Sequence, residues 1–448
     1  MFRNFKFFNI AKKLYNFLMN RHVIKFIRRV IHGKSLWQAL LIGIITGFLI
    51  VAFNSSISWT FNHIQAFTLN NPQRIWILPL ITTFGGLISG LLVFKFAPET
   101  RGSGIPYVKL CLANYGKLTR IRSIFVKFFA GLAAIGSGLS LGREGPSVQL
   151  GAGAGALVGK LFKATGFNKD KLIAAGAGSA IAATFNAPIA GTVFVLEELI
   201  HKFSYMILLP TMVAAVVASA IARECLGNNP AFNIIMTSAD LNFKTIAVCL
   251  ILGVLAGVLG VMFARTILIT NKIYSLLNKI PNWLKPAIAG LIIGLIGVVI
   301  PQVMGSGNLT VESLLQGNIG LKLVLVIFIV KFFVTPICFG SGAAGGIFLP
   351  TLMLGAFLGY LTGGLGHFVG LTVNPIAFGA IGMAAFLSAV ARTPITAVIM
   401  VFEMTGGYAT ILPIMLTAAI ADVVAEKMAH RPIYSTLAIQ QLKNEKRI

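Results

Sequence analysis

Acidic side chains are what this chain has least of. Of 448 residues only 12 are Asp or Glu, against 37 Lys and Arg, and charged residues together make up 11%, well under the roughly 25% of ordinary soluble domains. With 56% hydrophobic residues and a mean hydropathy of +0.87, a water-soluble globular domain is excluded. Cysteine is sparse too. Cys111, Cys225, Cys249 and Cys338 stand singly without CxxC spacing, so neither metal nor redox chemistry is indicated and buried free thiols are expected. His63, His201, His367 and His430 form no ligand cluster, and there is no nucleophile triad or Walker loop. No metal or cofactor is expected. A membrane-embedded enzyme would need paired acid–base or metal-ligating groups in a cavity, and the sequence offers no such set beyond a few glutamates.

Long apolar runs are abundant instead. They recur at 40–51, 75–94, 245–263, 286–300 and 323–334, and several approach the roughly 20 residues a spanning helix requires. Others are shorter and are cut by some of the 47 glycines and 17 prolines. A polytopic all-α membrane protein of tilted and broken helices follows, rather than a plain bundle.

The formal charge of +25 does not indicate nucleic acid, because the basic residues sit at segment ends rather than in a soluble domain that could grip a duplex. Residues 1–35 hold Lys and Arg interleaved with Phe, Ile, Leu and Val and carry no acid, which reads as a basic amphipathic helix lying on an anionic leaflet. Positive-inside reasoning places this end in the cytoplasm. The tail 441–448 is also basic, so both termini are expected on that side, with an even number of crossings. No small-residue cleavage site follows a short apolar core, which argues against a signal peptide; an Arg-rich mitochondrial presequence stays open.

Compared with itself at a shift of about 204 residues, the chain repeats. VKFFAGLAAIGSGLSLGREGP from Val126 matches VKFFVTPICFGSGAAGGIFLP from Val330, placing Lys127 over Lys331 and Pro146 over Pro350. NAPIAGTVFVLEE from Asn186 matches RTPITAVIMVFEM from Arg392, placing Glu197 over Glu403. Two related membrane repeats are expected, 36–225 and 244–440, joined by a linker at 226–243. Packing of GxxxG type explains glycines four apart but not the shared Lys-Phe-Phe and Gly-Ser-Gly landmarks. Halves with an odd number of crossings each have opposite orientations and return the C-terminus to its starting side. Such inverted repeats hold their ligand near the bilayer midplane, between discontinuous helices.

GSGIP at 102–106, GREGP at 142–146 and GGIFLP at 345–350 share one form, glycines and then a proline opening an apolar run. Proline in a first turn loses no hydrogen bond, and glycine allows a tight turn ahead of it. Each predicts a helix N-terminus inside the membrane, which attracts an anion through unpaired N–H groups and a partial positive charge. Several converging would make an anion site, with Ser103 adding a hydroxyl. Glu144, an intramembrane carboxylate at such an end, is a functional candidate by default: it can occupy the anion position itself and leave it on protonation. Arg143 is expected to face an aqueous mouth. The plainer alternative is an Arg–Glu pair at a loop tip. Glu197 and Glu198 close an apolar run, where one of them can receive protons and pass them towards Glu144; the alternative is an interfacial carboxylate near Lys202. Glu403 is assigned to structure. Tyr434 can present a phenol to an anion or anchor the chain at the interface.

These residues together resemble the CLC family of chloride channels and chloride/proton antiporters over nearly the whole chain after residue 36. The resemblance implies a homodimer in which each subunit has its own pore. It implies that Ser103 and Tyr434 coordinate a central chloride with the backbone amides of Ile347 and Phe348, that Glu144 is the external gating and proton glutamate, and that Glu198 is the internal proton glutamate of exchangers. Glu198 thus favours a secondary active antiporter over a passive chloride channel of the same architecture, which stays open, and Ser103 favours chloride over nitrate or fluoride. Two departures stand out. Tyr107-Val108-Lys109 follows GSGIP where relatives often carry acids, which is expected to bear on the electrostatics near Lys127 rather than on the ion site. Only a short tail follows Tyr434, so nucleotide-sensing CBS domains are not expected and a bacterial inner membrane is the expected home.

Overall fold

The computed structural model describes residues 34–69, 72–228, 231–232, 243–368, 373–407, 410–429 and 431–445. The amphipathic helix expected over 1–35 lies outside them apart from its last two residues, as do most of the linker and the last three residues of the tail.

Among the described residues the chain forms seventeen α-helices and no named strand. The first eight are α1 (Lys34–Leu69), α2 (Leu78–Leu91), α3 (Ile105–Leu112), α4 (Ile121–Gly136), α5 (Glu144–Leu161), α6 (Gly166–Phe185), α7 (Pro188–Phe194) and α8 (Tyr205–Leu226). The next eight repeat their order: α9 (Phe243–Leu276), α10 (Lys285–Val299), α11 (Asn308–Leu315), α12 (Leu321–Gly340), α13 (Phe348–Phe368), α14 (Pro375–Ala391), α15 (Pro394–Thr405) and α16 (Ile411–Met428). A final helix, α17 (Ile433–Glu445), has no counterpart among the described residues. The fold is thus two inverted-topology repeats of tilted and broken helices.

Seven helices among the described residues are long and apolar enough to cross a bilayer. Large apolar side chains stay exposed on them, including Phe48 on α1, Val254 and Met262 on α9, and Phe333 on α12. Such faces suit lipid rather than water. Small residues let other helices approach backbone to backbone: a Cβ on Gly151 or Gly155 of α5 would strike α6, and one on Gly355 or Gly359 of α13 would strike α14. These closely packed pairs bring α5 and α13 into the interior, where nearly all of α5 is buried.

The equivalence of the halves extends to single side chains. Lys127 on α4 is fully buried and donates to the carbonyls of Thr100 at 2.8 Å and Gly102 at 2.6 Å. Lys331 on α12, also fully buried, donates to those of Val303 and Gly305, both at 2.9 Å. Asn186 and Arg392 each end a helix, α6 and α14, in the left-handed conformation, at φ 57° and 61°. Cys111, Cys249 and Cys338 are buried as expected, but Cys225 is exposed, because it lies in the last turn of α8 beyond the packed interior.

Candidate functional site

The three glycine-proline motifs do open helices. α3 begins at Ile105 behind Gly104, whose φ of 94° is a conformation that costs glycine little. α5 begins at Glu144 and α13 at Phe348. Hydrogen bonds tie the preceding loops into one knot. Gly142 and Gly346 exchange two backbone bonds, at 2.7 and 2.6 Å, and Gly345 N–H donates to the Gly102 carbonyl at 3.1 Å. A Cβ on Gly145 would collide with the Ser103 hydroxyl and carbonyl, and one on Gly346 would lie 3.0 Å from Gly145 N. Loops around 103, 144 and 347, far apart in the chain, are thereby brought to one place. The first-turn N–H groups of α3, α5 and α13 have no acceptor within their own helices.

Ser103, Glu144, Ile347, Phe348 and Tyr434 are all buried. The Ser103 hydroxyl and both carboxylate oxygens of Glu144 have no hydrogen-bond partner among the described residues. The carboxylate folds back over Gly142, where any Cβ would strike it. The backbone N–H groups of Glu144, Arg143 and Leu349 act on it, though none at full hydrogen-bond geometry. Arg143 is half-buried; its guanidinium donates to Ser58 at 3.5 Å, and among the described residues it makes no ion pair at contact distance with Glu144 as a loop-tip pair would. Tyr434, in the first turn of α17, is 1% exposed. An interfacial anchor would be wetter. Its phenol lies within electrostatic reach of both Glu144 and Glu198. The Phe348 ring closes the place by packing on Phe185 at 5.7 Å and on Phe194 at 6.1 Å.

Glu197 and Glu198 stand in a π-helical turn, Val195–Ile200, that continues α7. The wide turn sends the neighbouring carboxylates to different places. Glu197 accepts from the N–H groups of Ile395 at 3.1 Å and Thr396 at 2.7 Å, capping α15. Glu403, its equivalent in α15, accepts from Ile189 at 3.1 Å and Ala190 at 2.7 Å, capping α7. The expected neighbour Lys202 takes no part, because the helix N-terminus supplies the positive charge.

Glu198 is fully buried and forms an ion pair of 2.6 Å with Lys109 on α3. Contrary to expectation, the departure at Lys109 bears on Glu198 and not on Lys127: Lys127 is taken up by backbone carbonyls, whereas the Lys109 ammonium meets Glu198, Ser435 Oγ at 2.8 Å and His201 Nε2 at 3.1 Å. Lys109, Ser435, Phe185 and Phe194 are the residues of this region that motif reading missed. Only the departure at Lys109 left a trace in the sequence. Among the described residues no group of His, Cys, Asp or Glu is arranged to hold a metal ion.

The family model "Voltage gated chloride channel" matches residues 85–426. The H(+)/Cl(-) exchange transporter ClcA of Vibrio cholerae is 34% identical over 430 residues, covering 92% of this chain and 90% of that protein. A solved structure described as a slow cyanobacterial Cl-/H+ antiporter superposes with a TM-score of 0.85 at 30% identity, covering 92% of this chain and 99% of that one. A eukaryotic CLC transporter shares the fold, with a TM-score of 0.78 at 20% identity over 92% of this chain and 75% of that one. This is a multi-pass membrane protein with a transporter fold. It belongs to the voltage-gated chloride channel family, the CLC family.

Proposed function

We propose that the protein exchanges chloride for protons across the membrane. The observation that carries this reading is a pair of fully buried carboxylates, Glu144 and Glu198, with the buried Tyr434 phenol within electrostatic range of both. A pathway for anions alone has no need of the second. Chloride is held by the Ser103 and Tyr434 hydroxyls and by the N–H groups of Ile347 and Phe348, where α13 begins and no intrahelical acceptor exists. Donors of this kind compensate an anion in low dielectric without presenting a full cation that would trap it.

Glu144 competes for the same amide-lined place while ionised. Protonation removes its charge, weakens its hold, and admits chloride. Glu198 passes protons to and from the other side, with Tyr434 spanning the interval. Because chloride and a charged Glu144 exclude each other, movement of one ion obliges movement of the other. The termini lie on the cytoplasmic side of a bacterial inner membrane, and the protein works as a homodimer with one pathway in each subunit. The likeness to bacterial exchange transporters supports the inner membrane and the basic ends of the chain support the orientation, while the homodimer is what the family resemblance implies.

The test is proton uptake driven by a chloride gradient in reconstituted liposomes under an ionophore voltage clamp. The native chain should move protons uphill. Glu198→Gln should stop proton movement while chloride flux remains measurable, and Glu144→Gln should conduct chloride without pH dependence. Chloride flux in the native chain with no uphill protons would make it a channel.

A further inference from the structure

The ion pair between Lys109 and Glu198 has no part in the exchange scheme above, yet it sits on the route that scheme gives to protons. Lys109 belongs to α3, the short helix whose N-terminus presents Ser103. Its ammonium touches three elements at once: Glu198 in the π turn at 2.6 Å, His201 just beyond that turn at 3.1 Å, and Ser435 on α17 at 2.8 Å. Ser435 follows Tyr434 directly. The second carboxylate oxygen of Glu198 is buried with no hydrogen-bond partner among the described residues, so Lys109 supplies the one ion pair this carboxylate makes there.

We propose that Lys109 is a positioning residue that latches Glu198 against the start of α17, so that a proton binds Glu198 only against the pull of the ammonium and thereby loosens the latch. This rests on the exchange reading. The titratable groups around Glu198 are Lys109 from α3, Glu197 and His201 from its own segment, and Tyr434 from α17. Of these, only the ammonium touches the carboxylate. An ammonium at ion-pair distance stabilises a carboxylate against protonation. Once a proton neutralises Glu198, that attraction is gone and the ammonium is left with Ser435 and His201. Because Ser435 adjoins Tyr434, the protonation state of Glu198 is then felt at the residue proposed to hold chloride. Proton entry and anion binding are linked through one side chain.

Chloride-driven proton uptake measured against the pH of the compartment facing Glu198 tests this. Without the ammonium a proton meets less competition, so in Lys109→Met the half-maximal pH should move upward, by roughly one to three units. Lys109→Gln keeps a polar end facing Ser435 and should move it in the same direction, which covers the case where the methionine variant does not assemble. Lys109→Arg retains the charge and should keep the native midpoint. A merely structural role would lower the rate at every pH and leave the midpoint in place. A native midpoint in well-folded Lys109→Gln overturns the proposal, as does an arginine variant displaced as far as the glutamine one. Glu198→Gln, run in parallel, separates the two readings: if it still pumps protons the exchange scheme is wrong, whereas if it stops them and the Lys109 midpoints do not move, only the latch is wrong.

Discussion

Two buried lysines show how far a residue's role is set by what surrounds it. Lys127 and Lys331 sit at equivalent positions and make equivalent bonds, each to two backbone carbonyls of a glycine-bearing loop. A charge in the bilayer interior costs several kcal/mol unless it is compensated, and hydrogen bonds to a charged group contribute about 1.5–3 kcal/mol. Only Lys127 grips the loop that carries Ser103. Lys127→Met should therefore lower thermal stability in detergent and weaken chloride binding by roughly tenfold, the effect of about 1.4 kcal/mol. Lys331→Met should lower stability alone. Calorimetric titration with chloride beside a melting curve checks both, and equal loss of affinity in the two variants would refute the distinction. The sequence already displayed both lysines, along with Ser103, Glu144 and Tyr434, since each lies in a motif read along the chain. It did not display their acceptors, because backbone carbonyls carry no signature in residue type. Lys109 and Glu198 were separately visible, but 89 residues divide them and no local pattern joins them.

At the level of elements, the broken helices were legible and the turns within them were not. Glycine ahead of proline marks a helix start by simple steric rules, which is why α3, α5 and α13 begin near the predicted points. The π turn after α7 has no such marker, although it decides that Glu197 and Glu198 face different partners. That divergence makes Glu197 a cap for α15, while Glu403 caps α7 in return. Each carboxylate satisfies N–H groups that would otherwise be unpaired and also meets the positive end of the helix. Glu197→Gln and Glu403→Gln should each cost about 1.5–3 kcal/mol, read as a lowered unfolding temperature in detergent. The two losses should resemble each other because the geometry does. A variant with an unchanged unfolding temperature would show its cap to be dispensable.

For the whole molecule, composition and self-comparison were enough to reach a membrane protein of two inverted repeats. Hydropathy finds long spans such as α9 and α12, whereas half-length helices such as α3 and α11 are too short to register; α3 is marked by its glycine-proline start and α11 by its place in the repeat. How the halves interlock was not legible, since it depends on contacts between residues about 200 positions apart. The reciprocal caps have a consequence for how the chain is made. The N-terminal end of α7 waits for a carboxylate at residue 403, and Glu197 waits for amides at residues 395 and 396. A nascent chain halted before residue 394 should therefore hold an unsatisfied acid inside the lipid and be cleared by quality-control proteases faster than one halted after residue 428, a difference that pulse-chase labelling of the two truncations would register. The first half of this protein cannot be finished before nearly all of the second has left the ribosome.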